Sequence, residues 1–454
     1  MKRSAMWSGV MMAAMALNGA SAMASPGEAD RIHAVIADPA GMTAPGCAVG
    51  IFREGKTSEF VVAGAADTAT GHAIDPDTQF YAASVSKQFT AMAVMQLVVQ
   101  GKIRLADDIR VYLPEMAAYA RPVTVAMLLH HSAGIRDSLA LLAAAGATDI
   151  SAPSRKQAMT LELAQKGTNF EPGTRFDYSN GGYLLLSEIV ERVAKEPFDA
   201  YVDRMVLKPL GMTRSFIMHG ARPGDPDLAH GTHLTGGKSE PSDDYPLFGG
   251  SGGLITTVTD LAKWDHDIDS GHKVWTPAIT KLMLEPGLYN DGSPIRARGF
   301  GYGAAEFLGP QWFSHSGAAS GFKNIYARLP AKRLGIAMLC NRGEVDPNTR
   351  ADAIAAAIDE GLPKVSETMV PVRKIEGRYR SDDLGVIYAV STVPEGISAD
   401  VLPVDGGAKR ATFLFKRVGD GSYVYSGIRL APDEGNNGFS LEGGRLQLTF
   451  HRVD

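Results

Sequence analysis

Ser84-Val-Ser-Lys87 and the run behind it, Gln88-Phe-Thr-Ala-Met-Ala-Val-Met-Gln-Leu-Val-Val-Gln100, decide how this chain is read. Val85, Phe89, Met92, Val94, Met95, Leu97, Val98 and Val99 leave almost no polar face, which predicts a helix buried on all sides and ended by Gly101. Ser84 then stands at the start of a central helix. Residues three apart on a helix share a face, with Cβ atoms roughly 5–6 Å apart, so the Ser84 hydroxyl and the Lys87 amine can meet. That pairing is a nucleophile beside a base.

The rest of the composition allows such a helix a full core. The chain has 454 residues, 45% of them hydrophobic, and a formal net charge of −5. It carries no basic stripe or Arg-rich arm, so nucleic acid is not expected as a partner. Met1-Lys2-Arg3, the apolar run Met6 to Leu17 and Ala22-Met-Ala24 before Ser25 have the order of a cleaved signal peptide. The apolar run falls well short of the ~20 residues that a spanning helix needs. The mature chain is therefore expected to be exported, periplasmic or secreted, without a membrane span. Cys47 and Cys340 both lie in strand-like apolar runs. Two buried thiols is the favoured reading. One disulfide is the alternative, if those strands are neighbours in an oxidising compartment. Neither a metal nor a cofactor is expected, since no C-x-x-C or paired-His zinc spacing occurs.

Along the chain, Gly46 to Phe52 and Glu59 to Gly64 flank a turn and predict a hairpin. Short helices are expected over Thr124 to Leu129, Ser138 to Gly146 and Met159 to Gln165, with His130 and His131 read as structural histidines. Tyr183 to Val193 resumes a helical pattern, which leaves Tyr178 and Asn180 on a loop between ordered elements. Pro241 to Gly253 is too rich in Gly and Pro to be regular, and reads equally as a substrate-facing loop or a connector. Thr257 to Asp269 is expected to be helical. Gly299 to Gly303, Trp312 to Gly317, Asn324 to Leu329 and Leu334 to Cys340 read as strands of an antiparallel sheet. Asp346-Pro347 opens a last helix. From Ile375 the texture changes to short alternating runs, a separate β-domain of sandwich or half-barrel form. The expected organisation is a signal peptide over 1–24, a main domain over 25–362, a linker over 363–371 and a small β-domain over 372–454.

S-x-x-K at Ser84 has a decoy in Ser320-Gly-Phe-Lys323, where a glycine and the alternating residues beyond leave no helix to align the two side chains. The first copy gains weight from Tyr178-Ser-Asn180 and His315-Ser-Gly317, the chain's only Y-x-N and H-x-G. The order of these three motifs resembles the penicillin-recognising serine hydrolases: class C β-lactamases, D-alanyl-D-alanine carboxypeptidases, D-aminopeptidases and their esterase relatives. Pro172-Gly173, Leu128 to Gly134, Gly249 to Asp260 and Gly301-Tyr-Gly303 fit the same pattern, over roughly Gly46 to Leu362.

The resemblance implies an α/β fold of α+β type, β-lactamase/transpeptidase-like. Its antiparallel sheet would be flanked by helices and joined to a helical subdomain, with a lipocalin-like appendix behind. It implies Ser84 as nucleophile, Lys87 as its base, Tyr178 as second proton carrier, and Asn180 as holder of substrate and Lys87. His315 and Gly317 would bind substrate on the strand, and the backbone N–H groups of Ser84 and Ala318 would face the oxyanion, aided by the helix N-terminus. Three departures stand out. His315 replaces the lysine usual in the lactamase branch, which weakens the grip on a carboxylate and counts against an efficient β-lactamase. His130 and Ala133 stand where threonine and serine are frequent, and there is no E-x-x-x-N element like that of class A enzymes, so deacylation rests on Tyr178 and Lys87. The expected function is acyl-enzyme cleavage of amide bonds in small peptides or D-amino-acid compounds. The alternatives are a carboxylesterase for short acyl esters and, in another class, a non-catalytic binding scaffold. The expected partner is a small molecule or short peptide.

Overall fold

The computed structural model describes residues 26–37, 41–147, 149–220, 227–235, 238–297, 300–301, 311–365, 375–382, 384–393, 396–417, 422–425, 428–432, 438–443 and 446–453. The signal-peptide expectation, most of the linker and Tyr302-Gly303 lie outside these residues. Five antiparallel strands form the main sheet in the spatial order Phe313–Ala319, Phe322–Leu329, Leu334–Cys340, Cys47–Arg53, Lys56–Ala63. Period-two alternation gives the sheet two faces. Cys47, Val49, Ile51, Ile325, Ile336, Met338 and Cys340 pack with Ile32 and Ile36 of helix Pro26–Ile36 and with Ile354 of helix Pro347–Ile358. Ala48, Phe52, Phe313, Phe322, Tyr326 and Leu339 face the other way, into the larger core of the Lys87–Val99, Asn180–Ala194 and Val258–His266 helices.

The Lys87–Val99 helix is buried from Lys87 through Leu97, on every side, as its apolar composition predicts. Phe89 stacks on Trp264 with ring centroids 4.3 Å apart, and Trp264 Nε1 donates to Gln88 Oε1 at 2.7 Å.

The structure corrects several local expectations. Ser84 sits in a 3-10 turn, Ala83–Ser86, and the helix proper opens at Lys87. Asn180 is the first residue of a helix rather than part of a loop, because Ser179 accepts the Gly182 N–H and caps it there. The helix expected from Met159 begins at Arg155, set by a capping box between Ser154 and Gln157. Cys47 and Cys340 are disulfide-bonded, against the favoured reading of two thiols. The last strand of the sheet lies directly beside the first, with Cys47 opposite Cys340, a long-range pairing that no local pattern reveals. The C-terminal strands close into an eight-stranded barrel with its own core of Tyr379, Tyr388, Phe415, Phe439 and Phe450, where a sandwich or half-barrel was expected. Closure removes the exposed edges that an open sheet would keep.

Candidate active site

The site forms where the 3-10 turn, the Tyr178 loop and the edge strand Phe313–Ala319 meet. Strand Phe80–Tyr81 delivers the chain to the turn through Ala83, whose φ of +51° is unusual for a residue with a side chain. Ser86 Oγ donates to Ala83 O at 2.6 Å and accepts the Leu254 N–H at 3.0 Å, which ties the turn to strand Leu254–Thr256. Such over-determined strain is found at functional sites. Ser84, half-buried, is thereby held at the rim of the core.

Two side chains, Lys87 and Tyr178, reach its hydroxyl, and Asn180 holds the first of them. Lys87, fully buried, places Nζ 3.2 Å from Ser84 Oγ, 2.9 Å from Asn180 Oδ1 and 2.8 Å from Ser251 O. Tyr178, 38% exposed, donates its hydroxyl to Ser84 Oγ at 2.8 Å, and its ring centroid lies 4.7 Å from Lys87 Nζ. Asn180 is fixed from behind by Asp137, whose Oδ2 accepts both its backbone N–H at 2.9 Å and its Nδ2–H at 2.8 Å. With Nδ2 committed to a carboxylate, Oδ1 must turn to the lysine.

Gly317 stands where the edge strand meets the turn. A Cβ there would lie 2.2 Å from Ala82 O and 3.2 Å from Ser84 N, so only glycine lets the strand come this close. Ala318 is the next residue on the strand and pairs with Lys323. His315 shares the face of Gly317, two residues back. Its Nδ1 lies 2.5 Å from Ser316 O, and a carbonyl only accepts, so Nδ1 is the donor of this bond.

Residues 35–359 match the family model described as Beta-lactamase. The chain belongs to the beta-lactamase family. It is therefore a serine hydrolase. It is 25% identical over 380 residues to a D-aminopeptidase of Gluconobacter oxydans, a match covering 83% of this chain and 68% of that one. It is 28% identical to a D-aminopeptidase of Brucella anthropi, over 62% of this chain and 52% of that one, so it spans about half to two thirds of the length of these relatives. The octameric penicillin-binding protein homologue from Pyrococcus abyssi has the same fold, with a TM-score of 0.62 and 23% identity over 92% of this chain and 97% of that one. Among the described residues no helix is long and apolar enough to cross a membrane, and no His, Cys, Asp and Glu are grouped so as to hold a metal ion.

For a beta-lactamase-family site, the parts that sequence reasoning missed are the supports. Ser251 brings the Gly- and Pro-rich segment Pro241 to Gly253 into the site through its carbonyl, and Thr90 Oγ1 anchors the neighbouring Gly250 O at 2.7 Å. His131, with a φ of +54°, stacks its buried ring on Tyr178 at 4.5 Å. Its Nδ1 accepts the Ser179 N–H at 3.1 Å and its carbonyl accepts the Asp177 N–H at 2.8 Å, so one residue braces the loop on both sides of Tyr178. Asp137, which the sequence did not single out, stands just before helix Ser138–Ala144, where a carboxylate can serve as N-cap. The cap is there, with Oδ1 accepting from Leu139 and Ala140, but Oδ2 serves Asn180.

Proposed function

We propose that this chain is an exported hydrolase that cleaves amide bonds in small D-amino-acid compounds or short peptides, through an acyl-enzyme on Ser84. The observation that carries the reading is Ser84 Oγ held between Lys87 Nζ and Tyr178 OH, at 3.2 and 2.8 Å. A hydroxyl is a poor nucleophile until a base takes its proton. A neutral lysine amine has two N–H donors and one lone pair, and Lys87 has two pure acceptors, Asn180 Oδ1 and Ser251 O, plus one hydroxyl. The two N–H groups go to the acceptors and the lone pair is left for the Ser84 proton. Attack of Ser84 Oγ on the carbonyl then leaves that proton on Lys87, and an equivalent one reaches the leaving nitrogen through Tyr178. The proton count closes within the trio, and the same groups run in reverse when water releases the acyl group.

The N–H groups of Ser84 and Ala318 serve as oxyanion donors, the close approach at Gly317 setting their spacing. The D-aminopeptidase names of the relatives support the substrate class. The Cys47–Cys340 disulfide supports export, since such bonds persist in oxidising compartments.

Intact-mass measurement over time, with penicillin in excess, tests the nucleophile, and D-alanine p-nitroanilide tests the substrate class. The wild type is expected to gain one penicilloyl mass and to release p-nitroaniline, while Ser84→Ala does neither. An adduct on Ser84→Ala, or neither adduct nor turnover in wild type, overturns the reading.

A further inference from the structure

Glu162 is a buried acid that the mechanism above leaves unused. It lies near the end of helix Arg155–Leu163 with no exposed surface, and neither carboxyl oxygen has a hydrogen-bond partner. It presses on the first turn of the Asn180 helix: a Cβ on Gly181 would lie 2.5 Å from Glu162 Oε2 and 2.2 Å from the Arg136 carbonyl oxygen. The ionisable groups facing it are Asp137, Arg136 and Tyr119. The Arg136 guanidinium is directed at Gln165 Oε1 and Gly167 O, at 2.9 and 2.6 Å, and the Tyr119 hydroxyl at Gln165 O, at 3.1 Å. The first turn of the Asn180 helix contributes two glycines and Tyr183, whose hydroxyl is given to Leu129 O at 3.0 Å. Among the described residues Asp137 is thus the one acid acting on Glu162, and it is the residue that aims the Asn180 amide at Lys87.

We propose that Glu162 is a positioning residue: protonated against the Asn180–Gly181 turn, it leaves Asp137 as the single negative charge there, which keeps Asn180 locked on Lys87. Its ionisation, with the proton lost to solvent, loosens that lock. This rests on the role given to Lys87 above. Burial lifts the Glu162 carboxyl from 4.5 to about 8, the Asp137 charge adds in the same direction, and Arg136 opposes both. The sign follows from a folded value raised above the unfolded one. The stabilising contribution is complete below pH 4.5 and is lost as the pH climbs through about 8, where a buried negative charge appears beside the half-buried Asp137.

The test uses Glu162→Gln, neutral at every pH, with Glu162→Met as a second neutral variant if the first folds poorly. With D-alanine p-nitroanilide, the wild-type kcat is expected to fall with a midpoint near pH 8, while Glu162→Gln keeps kcat within about threefold at pH 7 and lacks that fall. In 15N-asparagine-labelled protein the side-chain amide signal of Asn180, assigned by its loss in Asn180→Ala, is expected to move with the same midpoint in wild type and to stay still in Glu162→Gln. An equal alkaline fall in both proteins, an Asn180 signal that titrates alike in both, or a uniform loss of activity with an unchanged profile overturns the proposal. The two readings fail separately. A titrating Asn180 signal without Ser84-dependent turnover removes the acyl-enzyme and keeps the coupling. Ser84-dependent turnover with a pH-insensitive Asn180 removes Glu162 alone.

Discussion

Ser84 and Lys87 lie three residues apart across the junction of a 3-10 turn with a helix, whereas Ser320 and Lys323 lie three apart across a hairpin turn and the start of a strand. In the first pair helical rotation returns both side chains to one face, and Nζ reaches Oγ at 3.2 Å. In the second, Ser320 has a φ of +48° and gives its hydroxyl to Asp244 O at 2.8 Å. Lys323 pairs across the strands with Ala318 on one side and Cys340 on the other, so it points to the sheet face that packs on the Pro26–Ile36 and Pro347–Ile358 helices. Gly317 and Asn324, one position along, point to the opposite face, toward the 3-10 turn. The same four-residue spacing is chemistry in one backbone and decoration in the other, because the period of the backbone decides which side chains meet.

Paired substitutions put that contrast at risk. Lys87→Ala removes the only base in contact with Ser84 in the proposed mechanism and is expected to lower kcat/KM on D-alanine p-nitroanilide by about 10³-fold or more, while Lys323→Ala stays within about threefold. Comparable losses in the two variants would erase the distinction between the copies. Gly317→Ala asks how closely the edge strand must approach. Its methyl would meet Ala82 O, so the strand must retreat from the Ser84 turn, and kcat is expected to fall by about 10²-fold with the circular dichroism spectrum retained. An unchanged kcat would mean that Ala318 is not an oxyanion donor.

How much of this was legible follows the same line between local and long-range order. The buried Lys87 helix shows in its composition, and the strands through Cys340 show in their alternation, since both signals are carried by neighbours in the chain. Ser84, Lys87, Tyr178 and Asn180 were readable as a set only through resemblance to a family, because nothing local says that Tyr178 comes within 2.8 Å of Ser84. The supports were harder still. Ser251 acts through a carbonyl, which every residue has, and His131 acts through a left-handed backbone and a stacked ring, which no spacing encodes. Glu162 is one charge within a helix expected over Met159 to Gln165, and only the Gly181 turn packed against it sets it apart. The disulfide required knowing that the first and last strands of the sheet are neighbours.

That disulfide supplies the smallest effect on rate and the sharpest use of the two faces. Cys47 and Cys340 are fully buried on the Lys323 side of the sheet, among Ile32, Ile36 and Ile354. The bond closes a loop of sequence separation 293, long enough that its removal frees a large unfolded ensemble, and the Cys47→Ala/Cys340→Ala protein is expected to lose about 2–5 kcal/mol in urea unfolding. On the other face, the contacts that aim Ser84, Lys87, Tyr178 and Asn180 run through Ser86, Thr90, His131 and Asp137, and the link from the disulfide is Asn324, whose Oδ1 accepts the Cys340 backbone N–H at 3.1 Å and whose Nδ2 donates to Tyr81 O at 3.0 Å, a pair of bonds that Cys340→Ala keeps. The double variant should therefore keep kcat within about twofold below its unfolding transition. If kcat instead falls with stability to spare, the sheet transmits strain from one face to the other. The edge strand carrying Gly317, two strands away from Cys340, would then be the first place to look for the displacement.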